Sequence, residues 1–201
     1  MDVSSNNLGP EGKAAIGNAL LSNLDSKLGF MNCDEWQLQE GVTTLDVVNK
    51  QLTAEDAVLL AGVLAHNKIV TQVEAFGCAF GAEGGKAMAE ALEANKTMEE
   101  ISVGNVMVGS TVKLKSSGEL KVLTNIDSDG DVKYEGSGGW VNPSTFEPIP
   151  VVLPLKKLRD NTITELDLKN SGLGVDGGMM LAAVLKSNSS VTKVSDCEWL
   201  V

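Results

Sequence analysis

Four stretches of the chain align without gaps, and their spacing restricts the fold more than any other feature. They read PEGKAAIGNALLSN (10–23), AEDAVLLAGVLAHN (54–67), AEGGKAMAEALEAN (82–95) and VDGGMMLAAVLKSN (175–188). Each opens on small or acidic residues, continues with apolar residues at helical spacing and closes on Asn. In the third, Ala87, Met88, Ala91 and Leu92 fall on one stripe, as an amphipathic helix requires. The closing Asn23, Asn67, Asn95 and Asn188 suit the position just past a helix, where Asn tolerates a left-handed backbone.

A second pattern accompanies the helices: apolar-x-x-apolar-x-apolar. It occurs at Val42, Leu45, Val47; Val70, Val73, Ala75; Met98, Ile101, Val103; and Ile163, Leu166, Leu168. From Val47 to Ala75 to Val103 the step is 28 residues each time. The alternation of the last positions is that of a strand. Each unit is therefore a short strand, a turn, a helix and a turn. One unit cannot bury its apolar face alone, so the units must stack, and helical crossovers make their strands parallel.

LDLKNSGLGVDGGMMLAAVL (166–185) and MDVSSNNLGPEGKAAIGNAL (1–20) resemble leucine-rich repeats of the ribonuclease-inhibitor type. The resemblance covers residues 1–106 and 153–201. It implies an α/β fold: a short solenoid with a parallel sheet on its concave face and helices on its convex face. The family's Asn after each strand bonds neighbouring turns. Here that position holds Asn6, Lys50, Cys78, Val106 and Ser171. Cys is a common substitute. At Lys50 and Val106 an absent partner would leave backbone groups unpaired at a cost of about 1–3 kcal/mol each.

The period breaks at a short unit before the second full repeat, and a similar short unit, LPLKKLRDNTITELDL (153–168), precedes the last one. LGFMNCDEWQLQEG (28–41) replaces a full helix with a short turn, and Trp36 is expected to fill the space. A like phrase, ending at Trp199, closes the chain. That Trp either caps the last turn or marks where a longer repeat protein would continue. Cys33 and Cys197 read as small buried packers.

Residues 107–152 differ in kind. They alternate at Val112 and Leu114, Leu120 and Val122, Val132 and Tyr134, with Gly and Asp-Gly turns between. This predicts a small β-barrel or meander inserted between repeat segments 1–106 and 153–201. V-G-x-x-V, D-x-D-G-D-V and G-W-x-N-P resemble the SH3-like repeat of the Mind-bomb family, which implies a peptide-binding module. Tyr134 and Trp140 are its candidate groove residues; Trp140 also reads as core.

Within the insert, NIDSDGDVKYEG (125–136) spaces Asn125, Asp127, Asp129 and Asp131 around Gly130. Alternating oxygen ligands around a Gly turn suit Ca²⁺. Glu135 stands one residue early for the bidentate ligand, Gly136 occupies its place, and the flanks are strands. An ordinary Asp-Gly hairpin is the competing reading. No other cofactor is suggested.

The net charge of −11 argues against nucleic acid or an anionic membrane as partner. The longest apolar run, AVLLAGVLA (57–65), is too short to span a bilayer. Three Cys do not make a disulfide framework, which suggests a reducing, cytoplasmic-type compartment. Catalytic signatures are missing: the single His, His66, reads as a solvated last-turn residue at a helix C-terminus. The Gly pairs in GAEGGKA and GVDGG read as repeat turns.

These features suggest a non-catalytic protein-interaction scaffold. Its contact residues would be those pointing outward from the concave sheet: Asp46, Val48, Glu74, Phe76, Ser102, Asp167 and Lys169, with Phe76 as an exposed aromatic anchor. The acidic groups suggest a basic partner. The alternatives are a structural subunit of a large assembly and a Ca²⁺-modulated binding module.

Overall fold

The computed structural model describes residues 1–78, 80–169 and 171–195. Element order is α1 (Gly9–Ser22), β1 (Met31–Asn32), β2 (Gln37–Leu38), β3 (Thr44–Asp46), α2 (Ala54–His66), β4 (Gln72–Glu74), α3 (Gly81–Ala94) and β5 (Glu100–Val103). The insert follows with β6 (Thr111–Leu114), β7 (Leu120–Ile126), β8 (Val132–Tyr134) and β9 (Phe146–Pro148). The chain closes with β10 (Val151–Leu153), α4 (Leu155–Arg159), β11 (Glu165–Leu166), α5 (Gly174–Leu185) and β12 (Lys193–Val194).

The four aligned segments are the helices α1, α2, α3 and α5, and each packs on the next. Close approach at their crossings requires Gly. A Cβ on Gly17 would sit 2.3 Å from the Val58 carbonyl oxygen, and one on Gly85 2.6 Å from the Asp176 Cα. Gly84 and Gly85 thus lie within the first turns of α3 as interhelical contacts, not in a repeat turn as their pairing suggests. Under the helices, Leu45, Val47, Val70, Val73, Ala75, Ile101 and Val103 are buried with Leu59, Leu60 and Met88 in one aliphatic core. Trp36 is buried in it as well.

Strands β3, β4 and β5 are parallel with a 28-residue register: Thr44↔Gln72↔Glu100 and Asp46↔Glu74↔Ser102. The expected solenoid with one continuous parallel sheet does not form. The structure is a mixed α/β fold with four separate small sheets. Strand β10, returning from the insert, pairs antiparallel with β5, Val152 opposite Ser102, and occupies the edge where a further parallel strand would add. Strands β11 and β12 form a parallel pair of their own, and β1 and β2 an antiparallel pair. The insert is an open antiparallel sheet in the order β8-β7-β6-β9, not a closed barrel. Its core is Val112, Leu114, Leu123, Val132 and Phe146. So few strands, in so short a segment, leave both sheet edges unjoined.

The Asn residues that close the helices act through their side chains, not through a left-handed backbone. Asn67 and Asn95 are extended, with φ −69° and −81°. Both are wholly buried. Asn67 Nδ2 donates to the Gly29 carbonyl, and its Oδ1 accepts from the Ile69 and Val70 N–H groups. Asn95 repeats this one unit later, donating to the Leu64 and Asn67 carbonyls and accepting from Thr97 and Met98. Asn188 donates to the Leu158 carbonyl and accepts from Ser190 and Val191. These amides pin each loop to the one before it, as buried backbone groups demand.

At the position after the strands, Cys78 Sγ donates to the Val47 carbonyl at 3.1 Å. One unit on, beside Val106, Asn105 Nδ2 donates to the Cys78 carbonyl at 3.1 Å.

α1 is braced to α2 by charge. Lys13 Nζ lies 2.5 Å from Glu35 Oε1 and 2.7 Å from Asp56 Oδ1. Asp56 also caps α2 in a capping box with Thr53. Burial opposes ionisation of Asp56, but hydrogen bonds from Lys13 and from the Thr53 N–H and hydroxyl outweigh it and hold its pKa below the ordinary 3.8. Asp176 occupies the matching turn of α5 with no ion-pair partner among the described residues, and burial raises its pKa. His66 is not solvated as expected: its Nε2 donates to the Leu20 carbonyl at 2.8 Å, tying α2 to the end of α1.

Among the described residues no helix is long and apolar enough to cross a membrane. Trp199 and Cys197 lie outside the described residues.

Candidate functional site

The outward face of the β3–β4–β5 sheet is set by the two-residue strand period. Leu45, Val73 and Ile101 point into the core, so their neighbours point out. Register then lines those neighbours up in rows. One row is Thr44, Gln72 and Glu100, linked by side chains: Thr44 Oγ1 donates to Gln72 Oε1 at 3.2 Å, and Gln72 Nε2 to Glu100 Oε2 at 3.4 Å. The next row is Asp46, Glu74, Ser102 and Val152. Beyond it lie Val48 and Phe76.

The chain leaving the insert turns these rows into a groove. Pro148 and Pro150, with Val152 on the edge strand β10, line one side, and residues of β3–β5 and the turns after them line the floor. The cavity is about 350 Å³. One end is fixed by Asn49, which adopts φ 56° and lies over Gly77. A Cβ on Gly77 would meet Asn49 Oδ1 at 2.2 Å, and its φ of 78° favours Gly as well.

Four of the seven residues expected on the contact face line this groove together: Val48, Glu74, Phe76 and Ser102. Phe76, expected to be exposed, is 6% exposed and forms part of the floor. Asp46 is exposed in the row beside it, accepting from the Val48 N–H at 2.9 Å. Asp167 and Lys169 belong elsewhere. They follow β11 in the separate C-terminal sheet, where Asp167 Oδ1 accepts from Ser195 Oγ at 2.5 Å and from the Lys169 N–H at 3.1 Å. Those bonds, led by that from Ser195, lower the Asp167 pKa.

The insert's candidates lie outside the groove. Tyr134 is half-buried against the insert core, while Trp140 is 45% exposed, not core. Lys133 Nζ stands 4.4 Å from the Trp140 ring centroid, a cation–π contact. Asp127–Asp131 make the β7–β8 hairpin turn. Asp127 Oδ1 accepts from the N–H groups of Asp129 and Asp131, both at 3.0 Å, and Gly130 takes φ 84°. Asn125 accepts from the Ile126 N–H, and Glu135 is exposed beyond β8. Among the described residues no group of three or more His, Cys, Asp or Glu side chains is placed to hold a metal ion.

Sequence reasoning missed Gln72, Glu100, Asn49 and the Pro148–Val152 wall. Gln72 and Glu100 were within reach, being two residues before Glu74 and Ser102 on the same faces. The wall was not, since nothing local says where an insert's last strand returns. A larger depression of about 590 Å³ lies at the C-terminal ends of α1 and α2, around Phe30, His66 and Lys68, and holds none of the expected residues. The buried thiols offer little chemistry. Burial pushes the Cys33 pKa up to about 11 and raises that of Cys78, so neither is a ready thiolate.

No protein-family model, curated protein or solved structure matches the chain.

Proposed function

We propose that this chain is a non-catalytic docking module that holds a segment of a partner protein in the groove over β3–β4–β5. The observation that carries the reading is the convergence of Val48, Glu74, Phe76 and Ser102 with Pro148, Pro150 and Val152 in one cavity. The floor offers a buried aromatic and the wall offers Pro and Val surface, with Val152 48% exposed. Apolar contact area beside placed polar groups is what a recognition groove needs. The repeat body serves as a rigid frame, and the insert supplies the wall.

The test is capture with a blocked groove. Ser102→Trp fills the cavity from a half-exposed position, and Val152→Asp alters the wall from an exposed one. Both should keep the wild-type thermal midpoint. Proteins retained by the immobilised wild-type chain in an extract of its native source should be lost by both variants. Retention of the same proteins at undiminished yield by both would refute the reading.

A further inference from the structure

The two sheets that contain parallel strand pairs treat their outward charges differently. In the C-terminal pair, Glu165 lies opposite Lys193, with Nζ 3.4 Å from Oε2. That sheet neutralises itself. In the central sheet, Asp46 lies opposite Glu74, and Glu100 sits one row away on the adjoining strand. Like charges directly opposite on a sheet face repel. No Lys, Arg or His lines the groove. Among the described residues Asp46, Glu74 and Glu100 take part in no ion pair. Negative charge thus accumulates beside the Pro–Val-walled groove, and among the described residues no cation lines it.

Resting on the docking reading above, we infer that the groove's partner is a basic segment of another protein that carries both Lys or Arg and apolar side chains. The cationic groups sit on Asp46, Glu74 and Glu100, relieving their repulsion. The apolar side chains lie against Phe76, Pro150 and Val152. Glu100 is half-buried and already accepts from Gln72 Nε2, so one carboxylate is held in place before binding. A groove with charge on its floor and apolar surface on its wall selects against a purely acidic segment and gains little from a purely apolar one.

Calorimetry with two synthetic peptides tests this: one of Lys and Val in equal numbers, one of Glu and Val. The Lys peptide should bind the wild-type chain, and the Glu peptide should bind at least roughly tenfold more weakly. Glu74→Gln with Glu100→Gln should weaken the Lys peptide by roughly tenfold, and raised salt should weaken it too. Glu11→Gln with Glu83→Gln, exposed positions on α1 and α3 that do not line the groove, should leave it unchanged; this separates the groove from overall negative charge. Equal affinity for the two peptides overturns the inference, as does equal loss in the two double variants. If the peptides fail to discriminate while Ser102→Trp still abolishes partner capture, the docking reading stands and only the basic partner falls. If capture survives Ser102→Trp, the docking reading itself falls.

Discussion

The helix-backed body and the insert are both built from short strands, yet they are held together by different means. In the body, β3, β4 and β5 follow one another at 28-residue steps, each of the first two followed by a helix, and Asn67, Asn95 and Cys78 tie unit to unit. Dozens of apolar side chains share one core. The insert relies on Val112, Leu114, Leu123, Val132 and Phe146, with open sheet edges. Repetition gives the body cooperative depth, whereas a five-residue core gives the insert little reserve. The groove lies where the two meet, a rigid floor from one and a wall from the other.

The largest expected effect is therefore in the body. Leu60→Ala, at a wholly buried site in α2, should cost about 2–5 kcal/mol. Chemical denaturation should show the loss in far-UV circular dichroism and Trp fluorescence alike, because Trp36 shares that core. Phe146→Ala removes a larger side chain, but from a small, open-edged core that can collapse onto the gap, so about 3 kcal/mol is expected, confined to the insert. Here hydrogen exchange should rise in β6–β9 while amides of α2 and α3 keep their protection. Loss of α2 protection in that variant would mean the two regions unfold as one.

A smaller effect tests the bracing of α1. Asp56→Asn leaves Lys13 with Glu35 alone and weakens the capping box, and should cost about 1–2 kcal/mol at neutral pH. Because the Asp56 pKa is lowered on folding, its stabilisation is full above about 3.8 and is lost as pH falls through the folded value. The wild-type advantage over Asp56→Asn should thus vanish in strong acid. Asp176 has the opposite sign. Its raised pKa makes it a liability that grows as pH rises above the ordinary 3.8, so Asp176→Asn should be neutral or stabilising at pH 7. Denaturation midpoints measured against pH check both. The smallest effect belongs to the insert's turn: Asp127→Ala removes an acceptor for two N–H groups and should cost about 1 kcal/mol, read as faster exchange at Asp129 and Asp131.

What was legible in the sequence follows the same division. The aligned segments name the helices because their apolar stripes repeat, and the 28-residue step gives the strand register to the residue. Where the structure departs, a non-local contact decides. Next to Val106, Asn105 reaches back to the Cys78 carbonyl, a cross-unit bond that spacing alone cannot signal. The closing Asn side chains choose loop carbonyls over a left-handed turn because those carbonyls come from the preceding unit. Phe76 read as exposed because its strand position faces outward, yet it is buried beneath the groove that the returning chain helps to form. The parallel sheet stops at β5 because β10 takes its edge, and nothing in residues 151–153 announces an antiparallel partner.

The most direct measurement of the account is an amide-resolved NMR titration with the Lys–Val peptide. Shifts should concentrate in residues 46–49, 72–77, 100–102 and 148–152, the floor and wall of one groove, and should disappear in Ser102→Trp. Shifts spread over the acidic helix surfaces, or centred on Trp140 and the insert's outer face, would contradict it.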